Sequence, residues 1–295
     1  MRIVVTGAAG FLGRHVASHL QSVGHEVVGF DRDPGEDIEV SEFVRGDFLD
    51  ADSILGAAQG AGAICHIGAI GDVYLAAEQP ALAASVNVTG SANVAAVARA
   101  VGARVVYAST WEVYGEPDYE PLDEGHPTRP DHPYNITKLG GEQMLLAADR
   151  LHDVPVLALR LGTAFGSGLR PNSVFRIFID RARRGEPITI QGDGAQGRQF
   201  THASDIARAF AAACESDARG MALNTVGPEM VSIKQLAELV VARFPTELTF
   251  GSARPGDIAS AFVSADRMRE VLGWSAEVEF EEGLDELIRD VVGDG

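Results

Sequence analysis

Short runs rich in β-branched residues alternate, through the first half of the chain, with longer Ala-rich segments whose apolar positions recur at helical spacing. The short runs predict strands near Arg2–Thr6, Glu26–Asp31, Phe43–Gly46, Ala63–His66, Arg104–Ala108 and Val156–Arg160. The longer segments predict helices over Phe11–Val23, Asp52–Gln59, Pro80–Val101 and Tyr134–Leu151. Buried strands that alternate with helices are typical of a parallel sheet covered on both faces, so we expect an α/β, doubly wound fold.

The alternation loosens after Gly166, where the segment Gly166–Asn172 is rich in Gly and Pro. We expect residues 1–165, with a returning segment at about 198–227, to form the sheet domain, and residues 166–197 and 228–295 to form a smaller C-terminal lobe that binds substrate. Within that lobe, Ser232-Ile-Lys-Gln235 is a capping box that predicts the start of a helix.

Gly90 lies inside the long predicted helix, where glycine costs about 1 kcal/mol relative to alanine. A glycine in such a place is explained by close packing, so we expect a neighbouring element to press against it.

The charge balance narrows the possible partners. The chain carries 24 Lys and Arg against 42 Asp and Glu, a net charge of −18. Such a charge repels nucleic-acid backbones at long range, so no nucleic-acid partner is expected. Any anionic ligand must be held by local positive groups.

Cysteines, histidines and the N-terminus indicate the compartment. Cys65 and Cys214 form no C-x-x-C pair, so we expect buried thiols in a reducing cytoplasm. His15 and His19 share a helical face but have no third ligand, so no metal site is expected. The apolar N-terminal run is too short for a signal peptide, and no other stretch reaches about 18 uncharged apolar residues, so we expect a soluble, cytoplasmic protein without a membrane partner.

A glycine-rich turn, Thr6-Gly-Ala-Ala-Gly-Phe-Leu-Gly13, follows the first predicted strand and leads into a helix. Here the chain must turn tightly, and backbone amides would point at a pyrophosphate. The candidate cofactor contacts in this turn are Gly7, Gly10, Phe11, Leu12 and Gly13. The spacing is G-x-x-G-x-x-G, and a turn of this kind alone is weak evidence for a dinucleotide site.

Asp31, at the end of the second predicted strand, strengthens that interpretation. A carboxylate there can accept hydrogen bonds from the adenosine ribose and would repel a 2′-phosphate, which favours NAD over NADP. Arg32 beside it could partly neutralise such a phosphate. Asp47, before Phe48, could receive the adenine amino group, and its reading as a turn residue after a strand is nearly as strong.

Tyr134 and Lys138 stand four residues apart on one predicted helical face. An ammonium close to a phenol favours the phenolate, which is a useful base at neutral pH. Thr110 ends the fifth strand, at the carboxyl edge where sheets of this type bind ligands.

Taken in order, these motifs resemble those of the extended short-chain dehydrogenase family, which has a Rossmann-type fold and includes nucleotide-sugar epimerases and dehydratases. The resemblance covers nearly the whole chain. It rests on TGAAGFLG, Asp31, NVTGSANV from Asn87, STWEVYG, YNITK, Gly192-Asp-Gly194, Arg198-Gln-Phe-Thr-His202, Arg254-Pro-Gly-Asp257 and Leu272-Gly-Trp274.

The resemblance implies roles at the reacting centre. Tyr134 would take the proton from a sugar hydroxyl while hydride passes to NAD. Lys138 would hold the nicotinamide ribose and lower the pKa of Tyr134. Thr110 would hydrogen-bond the reacting oxygen, with Ser109 as its less favoured substitute. Asn87 would support the cofactor site.

The resemblance also implies how the substrate is held. Arg198 and Arg254 would clamp the diphosphate of a nucleotide sugar, and Asn172 would contact the nucleotide or phosphate. Thr163 stands where the family usually has Asn, so sugar binding there is altered. The resemblance further implies a homodimer formed through the helices near residues 80–101 and 134–151.

The residues after Thr110 separate the candidate reactions. Dehydratases of the family usually place Asp and then Glu there, as acid and base. This chain keeps Glu112 and has Trp111 in place of the Asp, which disfavours elimination.

Decarboxylases also carry Glu at that position and use an Arg for the uronate, and the stretch 257–265 contains none. We therefore rank a 4-epimerase first and a 4,6-dehydratase second. A decarboxylase and a non-catalytic nucleotide-binding protein remain less favoured alternatives.

Overall fold

The described chain is built on one seven-stranded parallel sheet. A computed structural model describes residues 1–35, 38–252 and 260–293. The strands are β1 (Arg2–Thr6), β2 (Glu26–Asp31), β3 (Glu42–Arg45), β4 (Ala63–His66), β5 (Arg104–Thr110), β6 (Val156–Leu161), β7 (Thr163–Phe165), β8 (Ile188–Gln191), β9 (Gly197–Arg198), β10 (Phe200–His202), β11 (Met221–Thr225), β12 (Val231–Ser232) and β13 (Leu248–Gly251). The sheet order is β11-β6-β5-β4-β1-β2-β3, so β2 and β3 are added on one side of β1, and β4, β5, β6 and β11 on the other. In such sheets ligands bind at the carboxyl edge, beside the point where the strand order switches sides.

Helices cover both faces of the sheet. They are α1 (Phe11–Ser22), α2 (Ala51–Ala57), α3 (Val73–Glu78), α4 (Pro80–Ala84), α5 (Gly90–Val101), α6 (Pro133–His152), α7 (Val174–Arg183), α8 (Ala203–Glu215), α9 (Ile233–Arg243), α10 (Asp266–Leu272) and α11 (Phe280–Gly293). A π-helical segment, Ser85–Thr89, joins α4 to α5, and a 3-10 turn, Trp111–Tyr114, follows β5.

Two apolar clusters fill the space between the sheet and its helices. Side chains alternate across a strand, and in β1 Ile3 and Val5 join the cluster under α1 and α8. Val4, between them, joins the cluster under α2, α5 and α6. The strands are apolar on both faces because both faces are covered.

The predicted doubly wound α/β fold is confirmed, with each of the six predicted strands in place. The long predicted helix over 80–101 is interrupted by the π-helical segment, which periodicity did not reveal. The seventh strand, β11, pairs with β6 and was not predicted as a strand. It comes from the segment that we expected to return to the sheet domain.

A third apolar cluster lies outside the seven-stranded sheet. Its members come from residues 165–200 and 231–291, including Phe165, Phe175, Phe200 and Phe280. The rings of Phe165 and Phe175 are stacked, with centroids 5.2 Å apart. The bounds given above for the two domains stay a prediction.

Both cysteines are buried thiols, as expected, and the fold brings them together. Their Sγ atoms, on β4 and α8, are 3.4 Å apart. Among the described residues, no group of three or more His, Cys, Asp or Glu could hold a metal ion. By length and composition the stretch Pro80–Val101 could span a membrane, and half of its most apolar part is buried inside the fold. The core helix of a protein without a membrane span meets the same criteria of length and composition, so the stretch is weak evidence for a membrane span.

Candidate active site

The glycine-rich turn joins β1 to α1 in a conformation that needs glycine at two positions. Gly7 adopts φ +71°, and a Cβ there would lie 2.6 Å from the backbone of the loop after β4. A Cβ at Gly13 would lie 1.9 Å from the Gly7 carbonyl oxygen. Gly10 precedes α1, and no side chain caps the helix. The first-turn amides, at Phe11 and Leu12, therefore face an open helix N-terminus that suits an anion.

Asp31 lies at the end of β2, directly beside this turn. Its Oδ2 accepts the amide of Ala9 at 3.0 Å, and its Oδ1 accepts the amide of Arg32 at 2.7 Å. The Arg32 carbonyl in turn accepts Nε of Arg45 at 2.7 Å. The carboxylate is thus held in a defined orientation next to the open helix end, and two guanidinium groups lie on the same edge of the sheet.

Asp47 and Phe48 follow β3. Asp47 Oδ1 accepts the amide of Leu49 at 2.9 Å, so its role as a turn residue is observed, and its contact with adenine stays a prediction. A Cβ at Gly90 would lie 2.5 Å from the Phe48 ring. The expected close packing at Gly90 is therefore confirmed, and Phe48 is the side chain that requires it.

A buried polar network beneath the turn was missed in the sequence. The imidazole of His66, fully buried at the end of β4, has Nδ1 2.8 Å from Thr6 Oγ1 and Nε2 3.1 Å from Ser91 Oγ. Burial and the positive charge of Lys138 lower the pKa of His66 to about 3, so the ring is neutral at pH 7. A histidine in a strand that is otherwise fully apolar was the available signal.

Asn87 lies within the π-helical segment and is buried. Its Oδ1 accepts the amide of Ile70 at 2.8 Å, and its Nδ2 donates to Thr137 Oγ1 at 2.9 Å. Asn87 therefore ties the loop after β4 to the first turns of α6, which agrees with a supporting role at the site. Local π-helical geometry is frequent at functional sites.

Thr110, Tyr134 and Lys138 meet at the carboxyl edge of the sheet. Thr110 is the last residue of β5, and a side-chain hydrogen bond joins it to Tyr134 in the first turn of α6. Lys138 follows one helical turn later and is buried, with Nζ 4.3 Å from the centroid of the Tyr107 ring. Thr110 and Tyr134 are therefore in contact, and α6 places Lys138 one helical turn after Tyr134.

The pKa values of the pair correct one expectation. Burial raises the pKa of Tyr134, and the charge of Glu112 adds to this, whereas Arg170 and the hydrogen bond from Thr110 act in the opposite direction. The resemblance implied a lowered value, and burial disfavours the phenolate more than the neighbouring groups favour it. Burial also lowers the pKa of Lys138 to about 7, against the opposing charge of Glu142.

Glu112 is the second ionisable group at this edge. It lies in the 3-10 turn, and its amide donates to Thr110 Oγ1 at 3.3 Å. Its Oε2 is buried without a hydrogen-bond partner among the described residues. Burial raises the pKa of Glu112 to about 7, Arg198 opposes the rise, and Asp131 adds to it. Such a carboxyl group can exchange a proton near neutral pH.

Trp111, between Thr110 and Glu112, is buried in an apolar cluster. Its side chain is 5% exposed and packs in an apolar cluster with Leu122, Val226 and Val263. The position that carries an acid in dehydratases is therefore occupied by a buried indole.

The residues predicted to hold the substrate come from separate segments of the chain. Arg198 ends β9, its Nη1 donates to the Gly197 carbonyl at 2.7 Å, and its charge reaches Glu112. Thr163 begins β7, and its amide donates to the Gln199 carbonyl at 3.1 Å. Arg254 lies outside the described residues.

Asn172 lies on the exposed loop before α7 rather than deep in the site. Its Nδ2 donates to Oδ2 of Asp72, the cap of α3, at 3.1 Å. Arg170 Nη1 lies 3.6 Å from the same oxygen. Because the charge of Arg170 also reaches Tyr134, this loop brings a cation to the reacting centre that the sequence did not single out.

Known proteins share both the fold and the length of this chain. Residues 3–226 match the model of the NAD dependent epimerase/dehydratase family. The UDP-glucose 4-epimerase of Mycolicibacterium smegmatis is 32% identical, with 96% of each chain covered. UDP-glucuronic acid decarboxylase 1 of Xenopus tropicalis is 30% identical over 97% of this chain and 71% of its own length. MoeE5, solved in complex with UDP-glucuronic acid and NAD, is 32% identical, with 100% of both chains covered and a TM-score of 0.92.

The glycine turn with Asp31 and the Thr110, Tyr134 and Lys138 group define a dinucleotide-dependent enzyme of the short-chain dehydrogenase type. The chain belongs to the NAD-dependent epimerase/dehydratase family.

Proposed function

We propose that this chain is a nucleotide-sugar 4-epimerase that uses NAD and works through a transient 4-keto sugar. The observation that carries the proposal is the Thr110, Tyr134 and Lys138 group at the sheet edge, next to a buried Trp111 where elimination needs an acid. Oxidation and reduction at one carbon need only Thr110, Tyr134 and Lys138 together with NAD.

The residues present fit NAD. The open N-terminus of α1, at Phe11 and Leu12, would hold the pyrophosphate. Asp31 would accept hydrogen bonds from the adenosine ribose, because each of its oxygens accepts only one recorded bond and retains a lone pair. Lys138 would donate to the nicotinamide ribose. The chemistry that NAD supplies is the reversible removal of one hydride from the sugar.

The protein side chains would handle the proton. Thr110 orients the C4 oxygen, and Tyr134 accepts its proton as the carbonyl forms. After the keto sugar has rotated within the site, Tyr134 would return the proton while hydride adds to the opposite face of C4. Since burial raises the pKa of Tyr134, this base needs nearby positive charge, which protonated Lys138 and Arg170 would provide.

A nucleotide diphosphate is the proposed anchor of the sugar. The positive charge of Arg198 reaches Glu112 at the reacting edge, in a chain whose overall charge repels anions. Planar guanidinium donors suit phosphate oxygens. The alignment with the UDP-glucose 4-epimerase of Mycolicibacterium smegmatis covers 96% of each chain, which supports this class of substrate.

One observation favours 4,6-dehydration as the second candidate. The charge of Asp131 reaches Glu112 and adds to the rise in its pKa, so a second carboxyl group lies near the site. Two carboxyl groups at one site can serve as acid and base. In that reaction Glu112, whose raised pKa of about 7 lets it carry a proton near neutral pH, would be the acid that Trp111 cannot be, and Asp131 would be the base.

Product analysis separates the two reactions. Purified enzyme with UDP-glucose or UDP-galactose should give, by NMR, inversion at C4 with the C6 hydroxyl retained and no net change in NAD. A 4-keto-6-deoxy product would make dehydration the correct reaction.

In Tyr134→Phe, turnover should fall by roughly two to four orders of magnitude while nucleotide binding persists, because only the ionisable oxygen is lost. Full activity in that variant would reject the assignment of the base.

A further inference from the structure

Glu142 is a fully buried carboxylate that the proposed reaction does not use. It lies on α6, and its Oε1 is 2.7 Å from Nη2 of Arg160 on β6. Its Oε2 accepts Nε of Arg160 at 3.2 Å and the hydroxyl of Ser109 at 2.6 Å. Both oxygens are thus hydrogen-bonded, and the Arg160 guanidinium supplies a paired positive charge in the core.

The clamp that holds Glu142 joins three elements at the reacting edge. Ser109 directly precedes Thr110 on β5, and Arg160 also donates to the hydroxyl of Tyr114 at 2.9 Å. That hydroxyl donates to Asn224 Oδ1 at 2.7 Å. The carboxylate therefore has a defined position relative to the end of β5 and to α6.

Glu142 follows Lys138 by four residues, which places the two side chains on the same helical face. Among the described residues, the other ionisable groups around Lys138 are Tyr107 beneath its ammonium, Tyr134 one turn earlier, and His66, whose pKa Lys138 lowers. These three are neutral at pH 7 when the phenols keep their protons. Glu142 is the fixed negative charge that faces Lys138.

We propose that Glu142, held by Arg160 and Ser109, is a positioning residue that keeps Lys138 protonated in the folded enzyme. Burial alone would drive the Lys138 ammonium toward its neutral form, and a clamped carboxylate one turn away opposes this. A protonated Lys138 is the state that the proposed function requires, and the inference rests on that function only for its catalytic consequence.

Lysine titration tests the proposal directly, because the chain contains only two lysines, Lys138 and Lys234. Protein labelled with 13C at lysine Cε gives two side-chain signals, and Lys234, half-exposed and paired with Glu238, serves as the internal control. In Glu142→Gln, the midpoint of the Lys138 signal should move to lower pH by roughly one to two units, the usual effect of losing a close opposite charge. The Lys234 signal should not move.

A matched variant controls for the loss of any buried acid on this helix. Asp149, also on α6, pairs with Arg219 at 3.0 Å and lies about two turns farther along. Asp149→Asn should leave the Lys138 midpoint within about 0.3 unit of the unmodified protein, because a charge at that distance is largely screened. An equal shift in both variants would overturn the proposal.

Glu142→Gln leaves Arg160 unpaired in the core and could prevent folding. Glu142→Gln/Arg160→Met removes both charges and should move the Lys138 midpoint in the same downward direction by a smaller amount, because a nearby positive charge is lost together with the negative one. An unchanged midpoint in either folded variant would overturn the proposal.

The activity profile provides the second measurement. If Lys138 must be protonated, the pH above which kcat/KM falls should move down by the same amount in the variants, whereas a merely structural role would lower kcat/KM equally at each pH. A shifted lysine signal without any epimerase activity in the unmodified enzyme would contradict the proposed function and leave the electrostatic assignment standing.

Discussion

Asp31 is the side chain on which cofactor choice depends, because its carboxylate lies beside the open N-terminus of α1. We expect the enzyme to bind NAD(H) more tightly than NADP(H), since a 2′-phosphate would meet this negative charge. Asp31→Ala should narrow the difference, helped by Arg32 and Arg45 on the same edge. Isothermal titration with both cofactors measures it, and a preference for NADP in the unmodified protein would contradict the prediction.

Glu112 should make stability depend on pH in a defined direction. Its pKa is raised by burial from 4.5 to about 7, so the folded protein holds this proton more tightly than the unfolded chain. The contribution is complete below pH ~4.5 and is lost as pH rises through ~7. Glu112→Gln, which cannot ionise, should therefore gain stability relative to the unmodified protein between pH 5 and pH 8, by roughly 1–3 kcal/mol.

Urea unfolding of both proteins at the two pH values measures this difference. Asp131→Asn is the matched control, because Asp131 is an exposed carboxyl group that faces Glu112 and contributes only a part of its shift. A stability difference between Glu112→Gln and the unmodified protein that stays constant from pH 5 to pH 8 would show that Glu112 does not titrate in this range.

At the scale of elements, the contact between α5 and the segment after β3 depends on Gly90, because only a residue without a Cβ leaves room for the Phe48 ring. Gly90→Ala would place a Cβ 2.5 Å from the Phe48 ring, which itself packs edge-on against His66. The variant should lose about 1–3 kcal/mol of stability, the usual cost of overpacking. It should also weaken NAD binding, because Phe48 and His66 lie beneath the glycine-rich turn.

Gly56→Ala is the matched control for helix propensity. Gly56 is exposed on α2, and a Cβ there would meet nothing within 4 Å. This variant should gain about 0.4–1 kcal/mol, because alanine loses less conformational entropy on folding than glycine. Chemical denaturation of both variants measures the pair, and equal effects would mean that propensity rather than packing governs Gly90.

At the scale of the whole molecule, we expect a homodimer formed through the helices near 80–101 and 134–151. On α6, Ile136 and Met144 are exposed by 51% and 45%, and Leu82 on the neighbouring α4 by 41%. Contiguous exposed apolar side chains are typical of interfaces. A second copy of this chain is the expected partner, because both neighbouring helices expose large apolar side chains.

Met144→Asp should convert the dimer to a monomer, because it places a charge in the apolar patch. Light scattering coupled to size exclusion measures the mass of both species. Ile177→Asp, at a residue 40% exposed on α7 of the other lobe, should leave the dimer intact. A monomeric unmodified protein at micromolar concentration would contradict the prediction.

The sequence by itself determined the layout of the sheet domain and the identity of its chemical groups. Alternating apolar strands and helices predicted six strands of the sheet, because local periodicity reports which faces are buried. The glycine turn, Asp31, Thr110, Tyr134 and Lys138 were recognisable, since each has a special residue type at a fixed place after a strand or along a helix.

Only the tertiary structure decided how those groups are charged and what surrounds them. The π-helical segment, the His66 network and the clamp of Arg160 on Glu142 each join residues far apart in the chain, so no local pattern reveals them. The raised pKa of Tyr134 was opposite to expectation because burial, a property of the whole fold, outweighed the charge of Arg170 and the hydrogen bond of Thr110. Sequence spacing specifies which residues can meet, and packing decides the solvation and charge they meet with.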